Sequence, residues 1–332
     1  MNDRTNLATA KMKQLSSTFQ KKGVINGVIS GLTYGIFTTL VVVAQGCYDP
    51  ATIAALGLLA IPFILSGLND LFAGIWLLIY IKATGRLAEL GRTLKTKPGK
   101  IMIIGFLLGG PVANGTFLIS LQMAGAYAIP ISATTGLFGA LFAWVFLKQK
   151  PTKRIVVGMF VIAAGAIILN LVKPEGAEQF TLGVIFATVA AIAWGLEGVF
   201  ASFGGSMLDA DVVVNLRQLI SGITTLLIAF IFASAFPLFI DTFVAVTPVI
   251  WLAIAGFSAA VSFLTWYKSN TMVGVAIGSS LNVTYTFWGV LFSIMFLGQE
   301  ITFTIITGSI IIFIGSVLVA MNPIDLFRKK EN

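Results

Sequence analysis

Apolar residues run along this chain in long blocks separated by short polar stretches. A block of about 18–20 apolar residues is long enough, as an α-helix, to cross the hydrocarbon core of a bilayer. The pattern predicts ten such spans, at 23–43, 51–81, 99–122, 125–147, 153–171, 181–204, 212–236, 247–268, 274–297 and 301–321. Little is left outside them: an N-terminal tail over 1–22, a connection near 172–180 and a C-terminal tail over 322–332. The expected fold class is an all-α polytopic membrane protein with ten transmembrane helices.

Charge then orients the spans. Arg4, Lys11, Lys13, Lys21 and Lys22 precede span 1, and six basic residues from Lys82 to Lys100 separate spans 2 and 3. Lys148, Lys150, Lys153 and Arg154 separate spans 4 and 5, Lys268 follows span 8, and Arg328, Lys329 and Lys330 follow span 10. All fall on one side if both termini are cytoplasmic, which the bias of basic residues toward inner loops predicts. Opposite loops carry Lys173 beside Glu175 and Glu178, with Asp49, Asp241 and Glu300 as solvated loop charges. The net charge of +8 is therefore read as topogenic and not as a nucleic-acid surface. No cleavage signal of small residues follows Val24–Val43, so this stretch reads as a retained span.

The 332 residues are 57% hydrophobic and 10% charged, with no His and a single cysteine, Cys47. An intrachain disulfide is excluded, and no cofactor or metal is expected. A His-based proton relay is excluded as well, so any proton coupling falls to Glu197 or Asp70.

An internal repeat is legible. At an offset of 150, Gly139, Leu141, Phe142, Phe146, Leu147, Gln149, Thr152, Gly158 and Gly165 recur as Gly289, Leu291, Phe292, Phe296, Leu297, Gln299, Thr302, Gly308 and Gly315. Separately, Gly31-Leu32-Thr33-Tyr34-Gly35 is similar to Ala191-Ile192-Ala193-Trp194-Gly195. The repeat divides the chain into five-span halves, 23–171 and 181–321. An odd number of spans per half inverts the second half in the membrane and places a substrate site near the midplane between them.

The candidate binding residues are polar or aromatic groups inside spans. Glu197 lies three residues after Trp194, on the same helix face. A carboxylate within hydrocarbon is a functional candidate, and an aromatic face beside it suits an organic cation. The competing reading pairs Glu197 with Arg217, the one basic residue inside a span, although Arg217 lies near the start of span 7 and could snorkel. Tyr34 matches Trp194 through the repeat and could form a second wall. Asn282, Tyr285 and Trp288 follow at three-residue spacing on span 9. Asp70, beside Asn69 in span 2, is expected to act in coupling or gating with Arg217. Gly109-Gly110-Pro111, Pro62 and Pro130 interrupt spans 3, 2 and 4. Trp266-Tyr267, before Lys268, reads as an interfacial anchor.

Ten spans in two halves, Trp194-Gly195 at the start of the second half and Phe296-Leu297-Gly298-Gln299-Glu300 at the end of span 9 resemble the drug/metabolite transporter superfamily, specifically the EamA-type permeases. Ala191 to Glu197, Leu216-Arg217-Gln218 and Leu281-Asn282-Val283-Thr284-Tyr285 with Trp288 are similar to the bacterial choline permeases of phosphorylcholine pathways. In that branch the first-span aromatic is a tryptophan, where this chain has Tyr34. The resemblance implies a secondary transporter in the bacterial cytoplasmic membrane that imports choline or a related quaternary ammonium compound. The alternative within the superfamily is an exporter of amino acids, drugs or other small metabolites, which would need Arg217 to face the cavity. An intramembrane enzyme is argued against by the missing His, metal ligands and paired acids. The expected partners are a small-molecule substrate and the bilayer, with no nucleic acid. Transport direction, coupling ion and assembly, a homodimer included, are left open by the sequence.

Overall fold

A computed structural model of the chain describes residues 2–48, 57–124, 128–169, 180–298 and 303–320. Asp49, Glu300, the 172–179 connection and the 322–332 tail lie outside the described residues. Every regular element among the described residues is a helix. Seven helical segments are long and apolar enough to span a bilayer: Leu15–Gln45, Ala60–Ala83, Lys97–Ser120, Phe180–Gly205, Ala210–Phe232, Thr247–Val273 and Val275–Leu297. These are spans 1, 2, 3, 6, 7, 8 and 9. Spans 4, 5 and 10 are shorter as described, comprising Ala128–Ser132 with Thr135–Leu147, Lys153–Leu169 and Phe303–Ala320. Span 1 continues a helix that begins at Asn2, so residues 2–22 and the first span share one rod.

The packing of these helices repeats when span n is exchanged for span n + 5. Span 1 lies on spans 8 and 9, and span 6 correspondingly lies on spans 3 and 4. Spans 2 and 7 pack on each other, as do spans 5 and 10. Lipid offers no water-driven force between helices, so close packing of small residues has to supply the contact. Glycines supply it here at repeat-related positions. A methyl placed on Gly35 would come within 2.8 Å of the Gly289 backbone nitrogen, and one on Gly195 within 2.8 Å of the Gly139 nitrogen. Between spans 5 and 10, Gly158 and Gly315 face each other, and Gly165 meets Gly308.

Backbone breaks obey the same symmetry. Span 4 is interrupted at Ala133–Thr134 and span 9 at Val283–Thr284, 150 positions later. Span 4 ends on Lys148 (φ 60°) and span 9 on Gly298 (φ 67°), each closing its helix with a hydrogen bond to the carbonyl five residues earlier, Ala143 and Ser293.

Three expectations need correction. Span 8 does not stop at Lys268 but runs to Val273 and ends where Gly274 takes φ 85°. Gly109-Gly110-Pro111 does not break span 3. The helix widens into a π turn over Leu108–Asn114, which accommodates the missing proline N–H without ending the rod. Two short helices also stand where connections were read, Leu87–Lys95 and Phe236–Ala245.

Candidate functional site

Between the halves lies a cavity of 240 Å³. Spans 1 and 2 furnish most of its wall, with Asn114 and Phe117 from span 3, Trp194 from span 6 and Phe263 from span 8. It reaches Val42 and Gln45 at the end of span 1 and Pro62 at the start of span 2. Those ends are opposite the Lys/Arg-rich ones. The wall has two characters. Tyr34, Phe37, Phe117, Trp194 and Phe263 are its aromatic members, and Thr38, Ser66, Asn69, Asp70 and Asn114 its polar ones. The Tyr34 ring lies 4.4 Å from that of Phe37 and 6.2 Å from that of Phe263, while Phe117 packs on Trp194 at 5.3 Å. Offset and tilted rings at these separations are favourable pairings that hold one another in place.

Tyr34, Trp194 and Phe263 also border a second space of 20 Å³ deeper in the protein, beside Tyr285 and Asn282. Tyr285 stacks on Tyr34 at 4.3 Å and hydrogen-bonds Ser132, so the two broken spans meet there. Asn282 donates to Ser30 Oγ at 2.7 Å. Trp288 lines neither space; it packs on span 1 at Gly35. The break at Val283–Thr284 falls between Asn282 and Tyr285, which nevertheless border the same space, whereas Trp288, on the same helix as Tyr285, is turned to span 1, so the three do not form one continuous stripe.

Glu197 is not among the lining residues either. Its carboxylate is buried behind Trp194 and receives Arg217 Nε at 2.8 Å, Arg217 Nη2 at 3.5 Å and the Tyr267 hydroxyl at 3.1 Å. Gly109 makes room for it: any side chain at that position would overlap the carboxylate. Arg217 does not snorkel. Its side chain is 0% exposed, with its Nη1 donating to Asp70 Oδ2 at 3.2 Å and to Gln218 Oε1, and with Phe263 stacked 3.9 Å from the guanidinium carbon. Asp70 is the acid that reaches the cavity, and it also accepts from Ser221. With both carboxylates ionised, two acids surround one guanidinium, and the cluster carries one negative charge in excess.

Four residues that matter to this arrangement were assigned otherwise or passed over in the sequence. Trp266 and Tyr267 are buried, not interfacial, because span 8 continues beyond Lys268. Phe263 and Phe37 carry no sequence signal that separates them from the other phenylalanines of the chain.

The Lys/Arg-rich ends are tied shut. Arg86, after span 2, forks onto Asp209 and Asp211 at 2.8 Å each, and Lys268 reaches Asp211 at 2.8 Å. Asp209 caps span 7 by accepting from the Asp211 and Val212 amides. Gln149 joins span 4 to spans 6 and 9 through Ser202 and the Val275 amide. Hydrogen bonding to Asp211, reinforced by the charges of both aspartates, holds Arg86 above the usual guanidinium range.

A model of the EamA-like transporter family matches residues 21–171 and, separately, 181–321. Protein LicB of Haemophilus influenzae is 29% identical over 188 residues, covering 55% of this chain and 62% of its own length. An uncharacterized transporter of Bacillus subtilis, YvbV, is 28% identical over 298 residues, covering 86% of this chain and 90% of its own. A solved crystal structure superposes with a TM-score of 0.66 at 16% identity, over 88% of this chain and 96% of that one, a likeness of fold.

Proposed function

The chain belongs to the EamA-like transporter family and is a multi-pass transporter of the bacterial plasma membrane, and from that premise we propose that it imports a small organic cation, choline or a related quaternary ammonium compound. The observation that carries this reading is Asp70, an acid bordering an aromatic cavity and belonging to a cluster of two carboxyl groups around one guanidinium. A cation over an aromatic face gains roughly 0.5–2 kcal/mol, so several rings and a charge together reach useful affinity. The cavity is smaller than the roughly 300–1,000 Å³ of drug-sized sites, in keeping with a small metabolite. Asp70 takes the role of counter-ion that the sequence pointed to in Glu197. Glu197 then acts through Arg217, which it holds against Asp70.

With the basic ends inside, the cavity faces outward while Arg86, Asp209, Asp211 and Lys268 close the inner side, the arrangement that precedes uptake. Rocking of one half against the other would expose the same residues inside. The amino-acid exporter reading is less well supported, because Arg217 is engaged by Glu197, Asp70 and Gln218 and covered by Phe263. A substrate carboxylate would have to displace all of them.

The test is uptake of labelled choline into proteoliposomes by the natural chain, Asp70→Asn and Trp194→Ala, with and without an imposed pH gradient. Saturable uptake is expected. KM should rise about tenfold or more in Asp70→Asn and roughly 2- to 30-fold in Trp194→Ala, the range a lost cation–π contact spans. Stimulation by the gradient would assign coupling to protons. A folded natural chain that neither binds nor transports choline refutes the assignment.

A further inference from the structure

The glycine crossings fix which residue of one half corresponds to which of the other. A methyl on Gly35 would meet Trp288 Cβ at 2.7 Å and the Gly289 nitrogen at 2.8 Å, and one on Gly195 would meet Phe138 Cβ at 2.9 Å and the Gly139 nitrogen at 2.8 Å. One on Gly23 would meet Met272 Cβ at 2.7 Å, and one on Gly183 would meet Met123 Cβ at 2.9 Å. Gly35 of span 1 thus corresponds to Gly195 of span 6, Gly139 of span 4 to Gly289 of span 9, and Met123 at the end of span 3 to Met272 at the end of span 8. In the same registers Tyr34 is the mate of Trp194, and Thr135 the mate of Tyr285. All four border the deeper space of 20 Å³. A rotation that exchanges the halves exchanges the members of each pair, so this space lies on its axis.

Around that axis the conformation is not symmetric. Phe37, Val41 and Val42 of span 1 and Phe117 and Leu118 of span 3 line the 240 Å³ cavity. Their mates are Glu197, Ala201 and Ser202 of span 6 and Trp266 and Tyr267 of span 8, which are packed shut at 0–6% exposure. Tyr267 donates to Glu197, and Gln149 donates to Ser202 at 3.1 Å. Spans 1 and 6 run in opposite directions, so these mates lead from the axis toward the Lys/Arg-rich ends.

We infer that the inner half of the substrate path runs between spans 6 and 8, along Glu197, Ala201, Ser202, Trp266 and Tyr267, which become its wall when the halves exchange conformations. The inference rests on the transporter reading above, in which an inverted repeat supplies both states, and not on the identity of the substrate. The two half-paths differ in character. Where the outer one has Phe37, Val42 and Leu118, the inner one has Glu197, Ser202 and Tyr267, a carboxylate and two hydroxyls in place of three apolar side chains. Tyr34 and Trp194, each the mate of the other, stay with the substrate in both states.

Thiol accessibility tests this without a substrate. Single cysteines are placed at Ala201, Ser202 and Val199 of the full chain, in a Cys47→Ser background, and labelled with a membrane-impermeant maleimide in inside-out membrane vesicles, with Arg86 present and in Arg86→Ala. Val199 is the control: it packs with Ala143 and Val275, and its mate Thr39 does not line the cavity. Arg86→Ala removes the two ties to Asp209 and Asp211, so labelling of Ala201→Cys and of Ser202→Cys is expected to quicken roughly 2- to 30-fold. Labelling of Val199→Cys is expected to stay within about twofold, because a change of wall leaves the spans 4 and 9 contact in place. Two lining positions are used, so poor folding of one variant leaves the other decisive. If neither lining position quickens, the path runs elsewhere and the inference is overturned. If Val199→Cys quickens as much as they do, the inner end merely loosens and the inference is overturned as well. The choline assignment is decided separately by uptake, so failure of the one is distinguishable from failure of the other.

Discussion

Replacing Arg217 by Met tests the buried cluster most directly. The guanidinium meets Glu197 at 2.8 Å and Asp70 at 3.2 Å, and the three side chains are 0–3% exposed. At about 4 Å between charge centres and an effective dielectric constant of about 20, each pair gains about 4 kcal/mol. Desolvation of the ions costs several kcal/mol apiece, so the intact cluster contributes little net stability. The balance changes when one partner is removed. Arg217→Met leaves two carboxylates buried beside one another, with Tyr267 and Ser221 as remaining donors. A loss of about 3–5 kcal/mol is expected, the range for stranding a buried charge. Neutralising the acids as well, in Asp70→Asn/Glu197→Gln/Arg217→Met, should recover stability to within about 1 kcal/mol of the natural chain. The assay is thermal unfolding in detergent, followed by tryptophan fluorescence. The reasoning is refuted if Arg217→Met is as stable as the natural chain. It is equally refuted if neutralising the acids lowers stability further, since they would then be held by something other than Arg217.

Three further outcomes follow from the architecture. Gly35→Val and Gly195→Val occupy repeat-related helix crossings with the same 2.8 Å clearance, so each should lower unfolding stability by a similar amount, about 1–3 kcal/mol from overpacking. At the ends of spans 4 and 9, Gly298→Ala should destabilise by about 1 kcal/mol, whereas Lys148→Gly should be neutral or stabilising, because both positions take positive φ. Arg86→Ala should quicken aqueous thiol labelling of a cysteine at Thr135 from the Lys/Arg-rich side, in a Cys47→Ser background, by roughly 2- to 30-fold, as expected from losing two partly exposed pairs of about 0.2–1 kcal/mol each. The raised pKa of Arg86 keeps it charged through and beyond the ordinary guanidinium value, so the ratio of labelling rates between Arg86→Ala and the natural Arg86 should be flat from about pH 6 to 9, while both rates rise with the thiolate fraction, and labelling with Arg86 present should increase with added salt.

Span positions were legible because a bilayer imposes a length, and the repeat was legible because duplicated helix crossings keep their glycines. Gly165 and Gly315, 150 positions apart, are visible in the sequence for the same reason they matter in the fold: a methyl on either would come within 2.9 Å of the opposing glycine's carbonyl oxygen, Gly308 or Gly158. Azimuth was not legible. In a soluble helix the polar face marks solvent, but here the lipid-facing and protein-facing sides are both apolar, so periodicity does not say which way a residue points. Glu197 and Asp70 were both recognisable as acids in hydrocarbon, yet nothing along the chain told which one meets the cavity. That depended on where Arg217 lies, and Arg217 was hard to place because its distance from the span end allowed it either to snorkel or to turn inward. Tyr267 was misplaced for a related reason. Lys268 beside it imitates a membrane boundary, and only the continuation of the helix to Val273, with Lys268 paired to Asp211, shows that the boundary lies further on. The π turn at Gly109-Gly110-Pro111 belongs to the same problem. Read locally it is a weak point in a helix, but its missing side chains are what let the Glu197 carboxylate lie against span 3 and the Ser221 hydroxyl beside it. A residue whose purpose is to leave room for another span's charge has no signature within its own span, and becomes intelligible only when both are brought together.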